Sequence, residues 1–338
     1  MIHTASRPVA LWLLLVAMLV FAMVVVGGVT RLTRSGLSIV EWAPIMGTVP
    51  PLDEAQWNAA FDKYQRTPEY QKVNTGMSLA EFKNIFYVEW AHRLLGRLIG
   101  IAFLLPLIYF VARRRIERAL MPKLALIFIL GALQGALGWF MVKSGLVDVP
   151  RVSPYRLTAH LGMAVAIYAC LLWLALDLLY PRVQPAARAL RRASGAMAAL
   201  VFLTILAGSF VAGTKAGFGY NTWPLMGEHF VPEGIGALAP WWLNPFENIA
   251  TVQFDHRLLA YSVLLAIAFY WWWARRAALT PRARVALHLL PLAALAQIAL
   301  GIATLLYIVP VPLAAAHQAG ALVVFTIALY LNHALRRT

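Results

Sequence analysis

Eight runs of about twenty apolar residues, at roughly 9–29, 86–111, 121–142, 155–180, 195–214, 251–274, 284–308 and 313–334, leave this chain little choice of fold. A helix of about twenty residues crosses the hydrocarbon core of a bilayer and satisfies its own backbone polar groups there. One soluble core could not absorb eight such runs: 61% of the residues are hydrophobic and 13% charged, outside the balance of soluble domains. The sequence predicts an all-α polytopic membrane protein with eight transmembrane helices. The first run lacks a small-residue cleavage site followed by soluble sequence and reads as a retained helix.

The formal net charge of +15 would suggest nucleic acid in a soluble chain. Here the basic residues cluster in short segments between apolar runs, which removes that reading. If the N-terminus is cytoplasmic, sixteen of the 29 basic residues, including Arg113, Arg114, Arg115, Arg182, Arg191, Arg192, Arg275, Arg276, Arg336 and Arg337, fall on that side. By the positive-inside rule both termini face the cytoplasm. The single cysteine, Cys170, lies within an apolar run, so no intrachain disulfide can form.

The chain repeats itself. Thr33-Arg34-Ser35-Gly36 followed by Trp42-Ala43-Pro44-Ile45-Met46-Gly47 has a counterpart in Thr214-Lys215-Ala216-Gly217 followed by Trp223-Pro224-Leu225-Met226-Gly227. Gln134-x-x-Leu137-Gly138 returns as Gln297-x-x-Leu300-Gly301, and His92-Arg93-Leu94-Leu95 as His256-Arg257-Leu258-Leu259. These echoes, in one order, predict two four-helix bundles, 1–190 and 191–338. An even number of spans per half makes the halves run the same way through the membrane.

Ionisable groups at membrane depth are costly and mark function by default. His92, His160, His256 and His317 each fall near the same end of spans two, four, six and eight. Imidazole is a haem ligand, and bundle cores are where facing helices assemble such sites. A lone histidine in a membrane helix often only bonds a neighbouring helix; four at matched depth in a repeated frame point to axial ligation, one pair per bundle. Zinc is the rival, but no Cys, Glu or third His joins both pairs at ligand spacing, and Glu89 could supply only one half. His3, His229, His288 and His333 lie outside this frame. Arg93 and Arg257, one residue beyond a histidine, suit the propionates of a haem, and Arg97 lies one turn deeper on the face of Arg93. Snorkelling towards headgroups is the plainer reading of the first two. Glu89 shares the face of His92 at i, i+3, whereas the corresponding position before His256 is Gln253. A carboxylate beside one pair alone marks the first bundle as the reacting site; a helix-end acid paired with Arg93 is the alternative.

The Glu89-Trp90-Ala91-His92-Arg93 segment, the His-Arg-Leu-Leu echo and the Gly27-Gly28-Val29-Thr30-Arg31-Leu32-Thr33 to Trp42 stretch, over essentially the whole chain, resemble the haem A synthase family. The resemblance implies an oxidoreductase for cytochrome oxidase assembly that converts haem o to haem a, hydroxylating the C8 methyl twice before water is lost to leave a formyl group. It implies that His92 and His160 face the substrate haem o, that Glu89 assists the chemistry, and that His256 and His317 ligate a haem b cofactor. The outer segments 30–85 and 215–250 contain no cysteine, as in the cysteine-free type of proteobacteria and mitochondria, which excludes a dithiol relay. Partners expected are haem o, the farnesyltransferase that makes it, an unidentified electron acceptor, membrane lipid and a second copy of the chain. Trp139, Phe140, Gly131, Gly135 and Gly138 are candidates to receive the farnesyl tail, although close helix packing explains the glycines as well. Two other classes fit part of the pattern. A dihaem cytochrome that only moves electrons would need the histidine pairs but not Glu89, and a transporter would need repeats but not level histidines.

Overall fold

The computed structural model describes residues 6–43, 46–146, 151–181 and 187–336. His3, Pro44, Ile45, Arg182 and Arg337 fall outside them. Eight helices are long and apolar enough to cross a membrane: α1 (Ser6–Leu32), α4 (Leu79–Ala112), α5 (Met121–Gly145), α6 (Pro154–Leu179), α7 (Arg188–Thr214), α9 (Ile249–Ala274), α10 (Pro281–Leu306) and α11 (Val311–Ala334). Three shorter helices, α2 (Glu54–Gln65), α3 (Pro68–Lys72) and α8 (Asn244–Glu247), lie in the two long connections.

Local chemistry sets the ends. Ser78 and Glu81 form a capping box that starts α4 seven residues before its apolar run, satisfying donors that the first turn leaves unpaired. Thr280 caps α10 by accepting from the Ala283 N–H, with Pro281 at the first helical position, where its missing N–H costs nothing. Lys215 closes α7 in the left-handed conformation, φ 60°, and Arg34 takes the same conformation, φ 55°, just beyond α1.

Among the spans, α1 packs against α4 and α6, and α5 against α6; α7 packs against α9 and α11, and α10 against α9 and α11. The two groups meet where α6 touches α7 and α11 and where α1 touches α11. Consequently α1 and α6 are the most enclosed helices and α5 the least. Polar contacts pin the seam: Tyr168 and Thr326 share a 2.7 Å hydrogen bond, Gln318 donates to the Val24 carbonyl at 2.7 Å, and Arg31 donates to the Ala212 carbonyl. Such bonds matter between membrane helices because lipid offers no competing partner.

The first long connection is itself folded. Trp57, Tyr64, Phe82 and Phe86 form a separate buried cluster, with Tyr64 stacked on Phe82 at 5.1 Å and Trp57 edge-on to Phe86 at 5.0 Å. Helix α2 is thereby fastened to the part of α4 that precedes its apolar run.

Candidate functional site

Each of the four histidines rests on a glycine of an adjacent helix. A side-chain carbon added at Gly27 of α1 would meet His92 Nε2 of α4 at 3.3 Å, and one at Gly138 of α5 would meet His160 of α6 at 3.0 Å. The same relation holds for Gly208 of α7 with His256 of α9, at 3.0 Å, and for Gly301 of α10 with His317 of α11, at 2.8 Å. At Gly301 a side-chain carbon could not fit without a shift, and at the other three it would crowd the ring more tightly than most real contacts, so the glycines are what lets each imidazole come so near its neighbour. His92 and His160 are close enough to interact electrostatically, as are His256 and His317.

Two glutamines add to the grip. Gln134, one turn before Gly138, donates its amide N–H to the His160 carbonyl at 3.0 Å and approaches the ring at Nε2. Gln297, one turn before Gly301, donates to the His317 carbonyl at 2.9 Å and reaches Nδ1 of the ring at 3.0 Å. The sequence shows both glutamines as markers of the repeat; their contact with the histidines is visible only once helices are packed. Nδ1 of His160 is buried without a hydrogen-bond partner. Among the described residues no three His, Cys, Asp or Glu side chains gather as ligands for a bare metal ion.

Glu89 is 2% exposed and fully engaged. One carboxylate oxygen accepts from Ser38 Oγ at 2.7 Å and from the Ile39 N–H at 2.8 Å. The other accepts from Arg93 Nε at 3.0 Å and Nη2 at 2.6 Å. Arg93 donates further to the carbonyls of Glu41 and Ile39, and Arg97 to that of Ala43 at 2.9 Å. The same device appears before His256: Arg257 donates to the carbonyls of Leu225 and Tyr220 and to Gln253 Oε1, while Gln253 Nε2 donates to the carbonyls of Ala216 and Tyr220. Arg93, Arg97 and Arg257 thus spend donors on the backbone of the long connections, holding each down over the histidine end of its bundle. Glu89 and Gln253 differ in what they face: the carboxylate accepts from N–H and O–H, whereas the carboxamide donates to C=O.

The remaining described histidines have structural partners. His333 is buried against Asp177 at 3.1 Å, and Arg336 pairs with the same carboxylate, tying α11 to α6. His288 accepts from Trp271 Nε1 at 3.0 Å. His229 sits 3.6 Å from Glu233 in the second long connection.

The glycines of α5 divide. Gly138 is a seat for His160, but nothing lies within 4 Å of a carbon added at Gly131 or Gly135. Close helix packing therefore does not account for those two.

Comparison with known proteins extends over nearly the whole chain. The family of cytochrome oxidase assembly proteins COX15-CtaA matches residues 10–329. The chain is 56% identical over 336 residues to the heme A synthase of Nitrosospira multiformis, covering 98% of this chain and 94% of that one. It is 53% identical to the heme A synthase of Parvibaculum lavamentivorans over 98% of this chain and 95% of the relative. To that of Nitrosomonas eutropha it is 51% identical over 96% and 92%.

Proposed function

The chain belongs to the heme A synthase family of cytochrome oxidase assembly proteins, and from that premise we propose that it oxidises the C8 methyl of haem o in two hydroxylations, the resulting geminal diol losing water to give the formyl group of haem a. Residues 1–190 form a bundle that takes the substrate between His92 and His160. Residues 191–338 form a duplicate that keeps a haem b on His256 and His317. The observation that carries this reading is the set of four imidazoles, each seated on a glycine of the next helix and interacting in two pairs.

The residues fit a haem. A planar macrocycle needs ligands held at fixed orientation, and the glycine seats with the Gln134 and Gln297 contacts fix the rings, since partners around a ligating histidine set its orientation. The buried, partnerless Nδ1 of His160 is a polar atom that the bundle leaves unmatched. The haem supplies redox-active iron when bound; the protein's part is to orient the ring so that one methyl meets the reacting groups. Arg93, Arg97 and Arg257 close the long connections over the two sites. Propionates reaching them would compete with loop carbonyls, so anchoring is the role best supported. Glu89, held by four donors on the helix face of His92, is fixed in position, as a group that accepts or passes protons must be. Both termini lie in the cytoplasm and the histidine end faces the periplasm, in keeping with the distribution of Arg and Lys. The farnesyltransferase that supplies haem o, an electron acceptor and a second copy of the chain are the proposed partners.

Extracting and chromatographing the haems of cells that express this chain together with a haem o source tests the proposal. Appearance of haem a supports it, and haem o alone refutes it in favour of a dihaem cytochrome. In the purified protein, His256→Leu is expected to abolish the low-spin haem b spectrum; an unchanged spectrum would refute the assignment of the second bundle.

A further inference from the structure

Glu69, at the start of α3, is 5% exposed, and its Oε2 is buried with no hydrogen-bond partner. A carboxylate in such a place costs free energy that a satisfied polar or an apolar side chain would not. Charges on three elements act on it electrostatically, Glu89 of α4, Arg34 in the turn after α1 and Lys215 at the end of α7, and it acts in turn on the Tyr64 hydroxyl of α2. Tyr64 is itself fully buried, accepts from Asn74 Nδ2 at 2.6 Å, and lies in the field of both Glu69 and Glu89. Arg34 and Lys215 hold the left-handed conformation beside the ends of α1 and α7, so Glu69 sits where the folded first connection meets both groups of spans.

We propose that Glu69 is a proton relay between Glu89 and the water on the loop side of the protein. The inference rests on the proposed function. Converting a geminal diol to an aldehyde moves protons between oxygens, and a site enclosed by apolar helices needs a titratable group through which to trade them with water. In the step itself one carboxyl O–H bond breaks as the other forms, so atoms balance and no electrons move. Glu69, with a buried oxygen that no donor matches, accepts a proton readily. Burial first, then the charge of Glu89, push the Glu69 pKa up to about 7, against the opposing pull of Arg34 and Lys215. Both forms of Glu69 are therefore populated near neutral pH.

The test uses the full-length protein carrying its resident haem. Difference infrared spectra over a pH titration should show a protonated-carboxyl band that disappears near pH 7 and is missing in Glu69→Gln. The same variant should keep the resident haem spectrum, form haem a at least several-fold more slowly, and lose the inflection of its rate near pH 7. Glu69→Asp should recover part of the rate with a displaced inflection. An identical pH–rate profile in Glu69→Gln, or an infrared band that survives there, overturns the relay. If Glu69→Gln loses the resident haem, Glu69→Asp carries the test: a displaced inflection supports the relay and an unmoved one overturns it. Absence of haem a from the wild type would sink the proposed function alone, since the infrared titration reads Glu69 without turnover.

Discussion

At the scale of single residues, the contrast between Glu89 and Gln253 decides how the two long connections are held. A carboxamide at position 89 has one oxygen to offer. If that oxygen faces Arg93, its N–H₂ meets the Ile39 N–H and the Ser38 hydroxyl, which now donate to Glu89; a buried N–H left unmatched costs about 1–3 kcal/mol. Glu89→Gln should therefore retain the resident haem yet lose about nine-tenths or more of haem a formation, since the carboxamide is displaced and can no longer accept or pass a proton. Haem extraction from cells expressing the variant measures this, and a normal haem a yield would remove Glu89 from the mechanism. The helical spacing that puts Glu89 on the face of His92 is legible in the sequence. Its partners Ser38 and Ile39 are not, because they come some fifty residues earlier in the chain and meet it only when the first connection folds back. The role of the glycine seats is not legible in the sequence for a similar reason: nothing local distinguishes Gly208, which cradles His256, from a glycine that merely allows two helices to approach.

At the scale of elements, the apolar runs located all eight spans because the bilayer imposes their length. The starts moved where other chemistry rules. Helix α4 begins at Leu79 rather than 86, since the Ser78–Glu81 capping box and the aromatic cluster on α2 extend it beyond its apolar part, and α7 begins at Arg188 rather than 195. Helices α2 and α3 are short and polar, and no membrane-length pattern reveals them. The seats make a prediction that belongs to helix pairs. At Gly301 the methyl of an alanine would lie 2.8 Å from His317 Cε1, too close unless α10 or the ring shifts, and overpacking of this kind costs about 1–3 kcal/mol. Gly301→Ala should lower the haem-to-protein ratio of the purified protein several-fold. Gly135→Ala, which meets nothing within 4 Å, should leave it unchanged. Equal haem content in the two variants would deny the glycine its role.

At the scale of the molecule, the question is whether the two groups of four spans act as one body. Two neighbouring positions answer it. On α11, His317 turns to its seat on α10 while the next residue, Gln318, donates to the Val24 carbonyl of α1. On α1, Gly27 carries His92 while the next residue, Gly28, makes room for the Gln318 carboxamide. A single contact between α1 and α11 thus lies one residue from a histidine of one pair and one residue from the seat of a histidine of the other. Gly28→Ala places a methyl where the Gln318 carboxamide now lies, forcing it away. The lost hydrogen bond costs on the order of 1 kcal/mol, and the flexible tip of Gln318 can swing aside from the methyl. If the groups were independent, a change in α1 would be silent at a haem held by α9 and α11. Because they share this contact, thermal unfolding followed by the absorbance of the resident haem should shift down by several degrees in Gly28→Ala, and a control at Gly131, which faces open space, should not shift. An unmoved transition in Gly28→Ala would mean that the two groups unfold separately and that the seam fixed by Gln318, Arg31 and Tyr168 transmits nothing between the sites.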